Sequence, residues 1–354
     1  MTILVTGGLG FIGTNFVLGH LAEGGDRVVD LDLATYAGNP ANLAHLPEEA
    51  HLLVRGDIRD RALVERLLQE HSPRAVVHLA AESHVDRSIT GPGAFIETNV
   101  VGTFTLLDAA RAHWEGLTGA ERDAFRFLYV STDEVFGSLG PGDPPFTEDS
   151  PVLPNSPYSA SKAAGDHLAR AYFRTYGFPA ITTHCSNNYG PYQFPEKFIP
   201  LMIINALSEK PLPVYGDGRQ VRDWIHVEDH ARALSLVLEK GIPGECYNIG
   251  GRSERTNMEV LTGICSVLDG LAPREGESGH MDLAVHVTDR PGHDRRYAVN
   301  STKLEEELGF MPCYSFPDGL EATVHWYRAN QTWVKSVTSG SYREWIREHY
   351  GMEG

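Results

Sequence analysis

Tyr158 and Lys162 stand four residues apart in NSPYSASK, and Thr132, Asp133 and Glu134 follow one another in STDEVF. Residues i and i+4 of a helix share a face, so the tyrosine and lysine point the same way. A phenol is a poor base at neutral pH, but a nearby ammonium favours the phenolate, which can then take a proton from an alcohol. The Thr132 hydroxyl is placed to orient that alcohol. Among 14 tyrosines and six lysines this is the one Tyr-x-x-x-Lys pair, against about a quarter of a pair expected by chance. A surface Tyr–Lys contact is the plain alternative, and an exposed acidic turn is the alternative for Asp133 and Glu134. Two adjacent carboxyls at the end of the apolar run FRFLYV are costly there, which raises the question of their use.

The partner chemistry comes from GGLGFIG, residues 7–13. Gly7, Gly10 and Gly13 follow one apolar run and open a helical stretch, the setting in which bare backbone N–H groups approach a pyrophosphate. Asp32 closes the next apolar run, 19 residues beyond Gly13. A carboxylate there accepts from ribose hydroxyls and repels a 2′-phosphate, which favours NAD over NADP. Asp30 lies inside the strand and is the weaker candidate.

These groups require a frame. TILVT, RVVDLD, HLLVRGDI, AVVHLA, FRFLYVST and AITTHCSN read as strands buried on both faces. They alternate with helical stretches at 11–24, 60–71, about 93–113 and 158–176. The pattern predicts an α/β fold: a Rossmann-type doubly wound parallel sheet with a smaller, interrupted C-terminal substrate domain. A helix at 227–240 and the strand ECYNIG are expected to return to the sheet. The division is residues 1–189 with 226–258 as the NAD-binding domain, and 190–225 with 259–354 as the second. Helices are expected in the latter at 302–308, 317–329 and 341–349.

The chain has 354 residues, 42% of them apolar, and a formal net charge of −17. That charge argues against nucleic acid or an anionic membrane as partner. Cys185, Cys246, Cys265 and Cys313 form no CxxC pattern and read as free thiols of a reducing cytoplasm. No run of 18 apolar residues suggests a membrane span. Sixteen histidines form no recognisable metal motif, and the expected chemistry needs no metal.

The glycine loop and the Thr132/Tyr158/Lys162 set resemble the extended short-chain dehydrogenase/reductases that act on nucleotide sugars. TYAGN, AAESHVDRSI, STDEVFG, NSPYSASKA, CSNNYGPYQFPEK, VRDWIHVEDHARA and DRPGHDRRY are similar to the 4,6-dehydratases among them, those acting on dTDP-glucose. Phe136 departs from the tyrosine expected there. The resemblance implies a lyase with tightly bound NAD recycled in each turnover. Tyr158 acts in oxidation at C4, Glu134 removes the C5 proton, and Asp133 protonates the departing C6 hydroxyl. One carboxyl must start ionised and the other protonated, and close like charges separate two proton affinities in that way.

The resemblance also carries cofactor contacts onto Phe11, Ile12, Asp32, Thr35, Asp57, Ile58, Ala80, Ala81, Thr98 and Asn188. Substrate contacts fall on Ser83, Thr132, Asn187, Lys197, Tyr215, Arg222, Asn257, Arg290 and His293. Arg222 and Arg290 suit the diphosphate, because guanidinium pairs with phosphate oxygens. A homodimer built on the helices near 93–113 and 158–176 is implied as well. An epimerase or decarboxylase on the same scaffold would share the glycine loop and Thr132, Tyr158 and Lys162. An epimerase has no need of the acid pair, and decarboxylases and GDP-mannose dehydratases tend to carry Ser-Glu in place of Asp133-Glu134. A protein that only holds NAD would be expected to lack Tyr158 or Lys162.

Overall fold

The computed structural model describes residues 1–276, 278–289 and 294–338. The helix expected at 341–349 lies outside them. Seven apolar runs form strands: Thr2–Thr6 (β1), Arg27–Asp32 (β2), His51–Arg55 (β3), Ala75–His78 (β4), Arg126–Thr132 (β5), Ala180–Cys185 (β6) and the late-returning Cys246–Ile249. They pair in the order Cys246–Ile249, β6, β5, β4, β1, β2, β3, every neighbour parallel. The connections reverse direction between β1 and β4, so a crevice opens beyond the carboxyl ends of those strands.

Period-two alternation feeds two cores. Ile3, Val5, Leu128 and Val130 face one layer, with Phe16 and Val17 of the helix Phe11–Ala22 and Leu234 and Val237 of Val227–Lys240. Leu4, Phe127 and Tyr129 face the other, with helices Arg61–His71, Thr103–Gly116 and Pro157–Tyr176. Near-continuous burial of these strands follows from having helices on both faces.

A third core gathers Tyr189 and Trp224 with helices Phe198–Leu207, Asn257–Leu271 and Phe316–Ala329. Around it run the short strands Asn187–Tyr189, Val221–His226, Glu254–Thr256 and Arg296–Tyr297 in one sheet, and Leu212–Tyr215 paired with Ala284–Val287 in another.

Three features differ from the sequence reading. The stretch about 93–113 is a helical path from Pro92 to Gly116 whose middle, Ile96–Gly102, is a π-helical segment; such wide turns are frequent at functional sites. Helices Phe198–Leu207 and Asn257–Leu271 were not expected. The first is apolar all round and carries Pro200, which hides its period. The second had a readable start, a capping box between Thr256 and Glu259. Leu304, Leu308 and Phe310 pack in the core of the main sheet, so the helix at Thr302–Leu308 forms a second return to that sheet beyond the one expected at 226–258.

Candidate active site

The glycine loop closes the carboxyl end of β1. Gly7 has φ +79°, and a Cβ on it would fall 2.6 Å from the Ala80 backbone N. A Cβ on Gly13 would fall 2.1 Å from the Gly7 carbonyl. The loop therefore lies against β4 and against its own helix, as a pyrophosphate cradle requires. Two aspartates hold it. Asp30 is fully buried and accepts from the Gly8 N–H at 2.9 Å, with His51 Nε2 3.3 Å from its other oxygen. Asp32 accepts from Leu9 N–H at 3.0 Å and Ala34 N–H at 2.7 Å, and it borders the cleft, whereas Asp30 does not. Burial raises both carboxyls above their ordinary values.

The reacting groups come from two elements. β5 ends at Thr132, whose Oγ1 accepts the Glu134 N–H at 3.3 Å and so caps the 3₁₀ turn Asp133–Phe136. Facing it, Ser156 caps the helix Pro157–Tyr176 in a reciprocal box with Ser159, and Pro157 takes the first position. That start fixes Tyr158 and Lys162 on one face above β5. Phe136 packs 5.2 Å from the Phe146 ring and 4.8 Å from His184.

All five groups border one cleft of about 330 Å³ with Gly7, Gly10, Phe11, Ile12 and Gly13. Thr35, Asp57, Ile58, Ala80, Ala81 and Thr98 border it too, as do Ser83, Asn187, Asn188 and Lys197. Lys197 Nζ donates to the Ser83 carbonyl at 3.1 Å. Asn188 is fixed from behind by His230, whose Nδ1 lies 2.8 Å from its side-chain oxygen; burial drives that imidazole down to about 3 and so leaves it neutral. Asp57 pairs with Arg59 at 2.7 Å, which lowers the Asp57 carboxyl.

Electrostatics separate the acid pair from an ordinary surface turn. Asp133 is 2% exposed, and its Oδ2 has no hydrogen-bond partner among the described residues. Burial first, then Glu134 and Asp223, push its carboxyl well above the usual range, while Arg222 and Thr132 oppose. Glu134 is half-buried at the cleft wall.

Tyr158 is buried above β5, with Lys162 one turn on. Burial raises the phenol well above its ordinary value, Glu134, Cys185 and Asp133 add to that, and Thr132 opposes. Lys162 Nζ is turned to the Val130 carbonyl at 2.7 Å.

Tyr215, Arg222 and Asn257 lie on the second body and do not border this cleft. Tyr215 ends the strand Leu212–Tyr215, and Asn257 opens its helix with its N–H on the Gln220 carbonyl. Arg222 is buried, donates to the Val221 and Asp294 carbonyls and lies 4.4 Å over the Tyr297 ring. Its field still reaches Asp133. Arg290 and His293 lie outside the described residues.

Sequence alone does not single out Glu196 or Tyr297. Glu196 is buried in the cleft wall, accepts from the Tyr36 hydroxyl at 3.1 Å, and has His84 Nε2 at 3.8 Å and Arg87 at 3.7 Å. Burial raises its carboxyl. Tyr297 is buried and feels the Glu134 charge, which helps to raise its phenol. Glu196 stands in the conspicuous run FPEK, but only its tertiary neighbours mark it. Among the described residues no group of His, Cys, Asp and Glu is arranged to hold a metal, and no helix is long and apolar enough to cross a membrane.

The family model described as GDP-mannose 4,6 dehydratase matches residues 4–323. The solved DesIV dTDP-glucose 4,6-dehydratase of Streptomyces venezuelae, with NAD and dTDP bound, superposes with a TM-score of 0.86. It is 48% identical and covers 95% of this chain and 100% of its own. A UDP-glucose 4-epimerase of Thermus thermophilus follows at 31% identity and TM-score 0.81, over 93% of this chain and 100% of its own. Fold and site thus define an extended short-chain dehydrogenase/reductase. A dTDP-glucose 4,6-dehydratase of Xanthomonas campestris pv. campestris is 61% identical over 97% of both chains. The chain belongs to the dTDP-glucose 4,6-dehydratase family.

Proposed function

We propose that the chain converts dTDP-glucose to dTDP-4-keto-6-deoxyglucose as a redox-neutral hydro-lyase of deoxysugar biosynthesis. The carrying observation is Asp133, a buried carboxyl pushed toward its protonated form beside the half-buried Glu134, in the cleft that also holds Tyr158. The glycine cradle, which Cβ atoms at Gly7 and Gly13 would fill, and Asp32 at the cleft edge fit NAD. When bound, NAD accepts a hydride from C4, returns it to C6 and brings the positive charge that favours the phenolate.

Tyr158 takes the C4 hydroxyl proton while Thr132 orients that hydroxyl. Oxidation acidifies the C5 proton, which Glu134 removes. Asp133 gives its proton to the C6 oxygen, the C6–O bond breaks and water leaves. A proton returns to C5, so the net change is the loss of one water. Arg222, whose field lowers the Asp133 carboxyl, limits how far that group is raised. Ser83, Asn187, Lys197, Tyr215, Arg222 and Asn257, with Arg290 and His293, are proposed for the nucleotide sugar. The large-sheet body takes NAD and the second body the nucleotide.

The chain also acts as a homodimer in this reading, in the cytoplasm. Ile89, Ile96, Val101 and Phe104, on the helical path through 85–116, are exposed apolar side chains, and they support a mate on that face. The experiment is separate incubation with dTDP-glucose and UDP-glucose, followed by mass spectrometry. Loss of water from dTDP-glucose is expected; unchanged mass with inversion at C4 would make the protein an epimerase.

A further inference from the structure

Lys162 is 4% exposed. Its Nζ donates to the Val130 carbonyl and lies 4.3 Å from the centre of the Tyr129 ring. A carbonyl and a π face solvate an ammonium but carry no net charge to balance it. One turn along the same helical face, Asp166 is also buried, at 8% exposed. His184 Nε2 lies 3.2 Å from its Oδ2, and its Oδ1 has no hydrogen-bond partner among the described residues. Neither Asp166 nor His184 has a part in the reaction above.

Glu134, just past the end of β5, bears on Tyr158, and burial keeps the groups nearer the lysine uncharged. On its own helix, the Tyr158 phenol is raised by burial. On β5, Tyr129 is raised likewise. On β4, burial holds His78 neutral, at about 3. On β6, the Cys185 thiol is pushed up to about 12, and His184 bonds the carboxylate itself. On the adjacent strand, Cys246 is raised to about 11. Asp166 is the carboxyl group on this face of the helix. The helix packs closely on β5 at Tyr129: a Cβ on Gly165 would fall 2.1 Å from that hydroxyl. Tyr129 in turn donates to the Lys162 carbonyl at 3.3 Å.

We propose that Asp166, held by His184, is the counter-charge that keeps Lys162 an ammonium beside Tyr158, a positioning residue for the proton transfer. Burial is the largest influence on Lys162 and Asp166 the largest that opposes it, and together they leave it at about 8. The inference rests on the reading of Tyr158 and Lys162 as the oxidation pair.

The test follows the first hydride transfer by reduced-nicotinamide absorbance in single turnovers with dTDP-glucose from pH 6 to 9.5. Wild type comes first; if it forms no reduced nicotinamide, the oxidation reading itself fails. Given that signal, Asp166→Asn should move the alkaline limb down by about one pH unit, near tenfold slower at pH 8.5 with little loss at pH 6.5. Asp166→Glu should restore the limb, and His184→Gln should move it the same way by less.

A second readout is independent of turnover. A lysine whose folded pKa is depressed makes stability rise with pH between its folded and unfolded values. Asp166→Asn should therefore narrow its melting-temperature gap from wild type by about 1–3 °C between pH 6.5 and 8.5. If Asp166→Asn does not fold, Asp166→Glu and His184→Gln decide by the position of the limb. A loss that is uniform across pH, with a constant melting gap or an unmoved limb in His184→Gln, would overturn the proposal.

Discussion

Asp133 and Glu134 leave one 3₁₀ turn into different surroundings, Asp133 sealed at 2% exposure and Glu134 half-open to the cleft. Their roles should separate accordingly. Neither is needed to move hydride from C4, so Asp133→Asn and Glu134→Gln should still reduce bound NAD on mixing with dTDP-glucose. Elimination should then slow by about 10²–10⁴, the usual worth of a positioned acid or base. Rapid-mixing absorbance alongside mass spectrometry separates the two steps. Loss of the first step in both variants would place the acids in oxidation.

The burial of Asp133 has a price in stability that depends on pH. Its folded carboxyl is raised, so the folded chain keeps a proton that the unfolded chain gives up above the ordinary carboxylate range. The stability it contributes is fully present in acid and is lost as pH rises through the folded value. Asp133→Asn has no titrating carboxyl there and should gain on wild type between pH 5 and pH 8. Urea unfolding at the two pH values measures it; an equal difference at both would mean the carboxyl is ionised in the fold.

Asp32 anchors Leu9 and Ala34 as well as facing the cleft. Asp32→Arg should weaken NAD binding at least about tenfold, because a cation replaces the ribose acceptor and the loop loses two hydrogen bonds. Asp32→Asn should cost less. Titration calorimetry on protein freed of nucleotide gives both constants, and unchanged affinity in Asp32→Arg would shift the ribose contact elsewhere.

Ile96 and Phe104 are exposed on the helical path that carries the π-helical segment. The double change Ile96→Glu and Phe104→Glu should convert the proposed homodimer to monomers, since paired carboxylates resist burial at an apolar interface. Sedimentation velocity reads the outcome. A species of unchanged mass would move the interface to another face.

The site was legible because its groups sit in short motifs at strand ends and helix starts. Gly7 to Gly13 follow β1, Thr132 to Glu134 follow β5, and Ser156-Pro157 announces the helix of Tyr158. Local chemistry fixes each of these. Glu196 and Tyr297 were not legible, because their place depends on Tyr36, Arg87 and Arg222 arriving from distant parts of the chain. The helix Phe198–Leu207 hid for a related reason: buried all round, it shows no amphipathic stripe. The direction of Lys162 was not legible, because a four-residue spacing gives a shared face but not where the ammonium turns, here to the Val130 carbonyl.

The most direct test of the account is isotopic. dTDP-glucose carrying deuterium at C4 is converted in ordinary water, and the unlabelled sugar is converted in heavy water. Deuterium from C4 should appear at C6 of the same molecule, because the hydride never leaves the site, and one solvent deuterium should appear at C5, where Glu134 removes the proton. Loss of the C4 label to solvent, its transfer between molecules, or a C5 position free of solvent label would contradict the assignment.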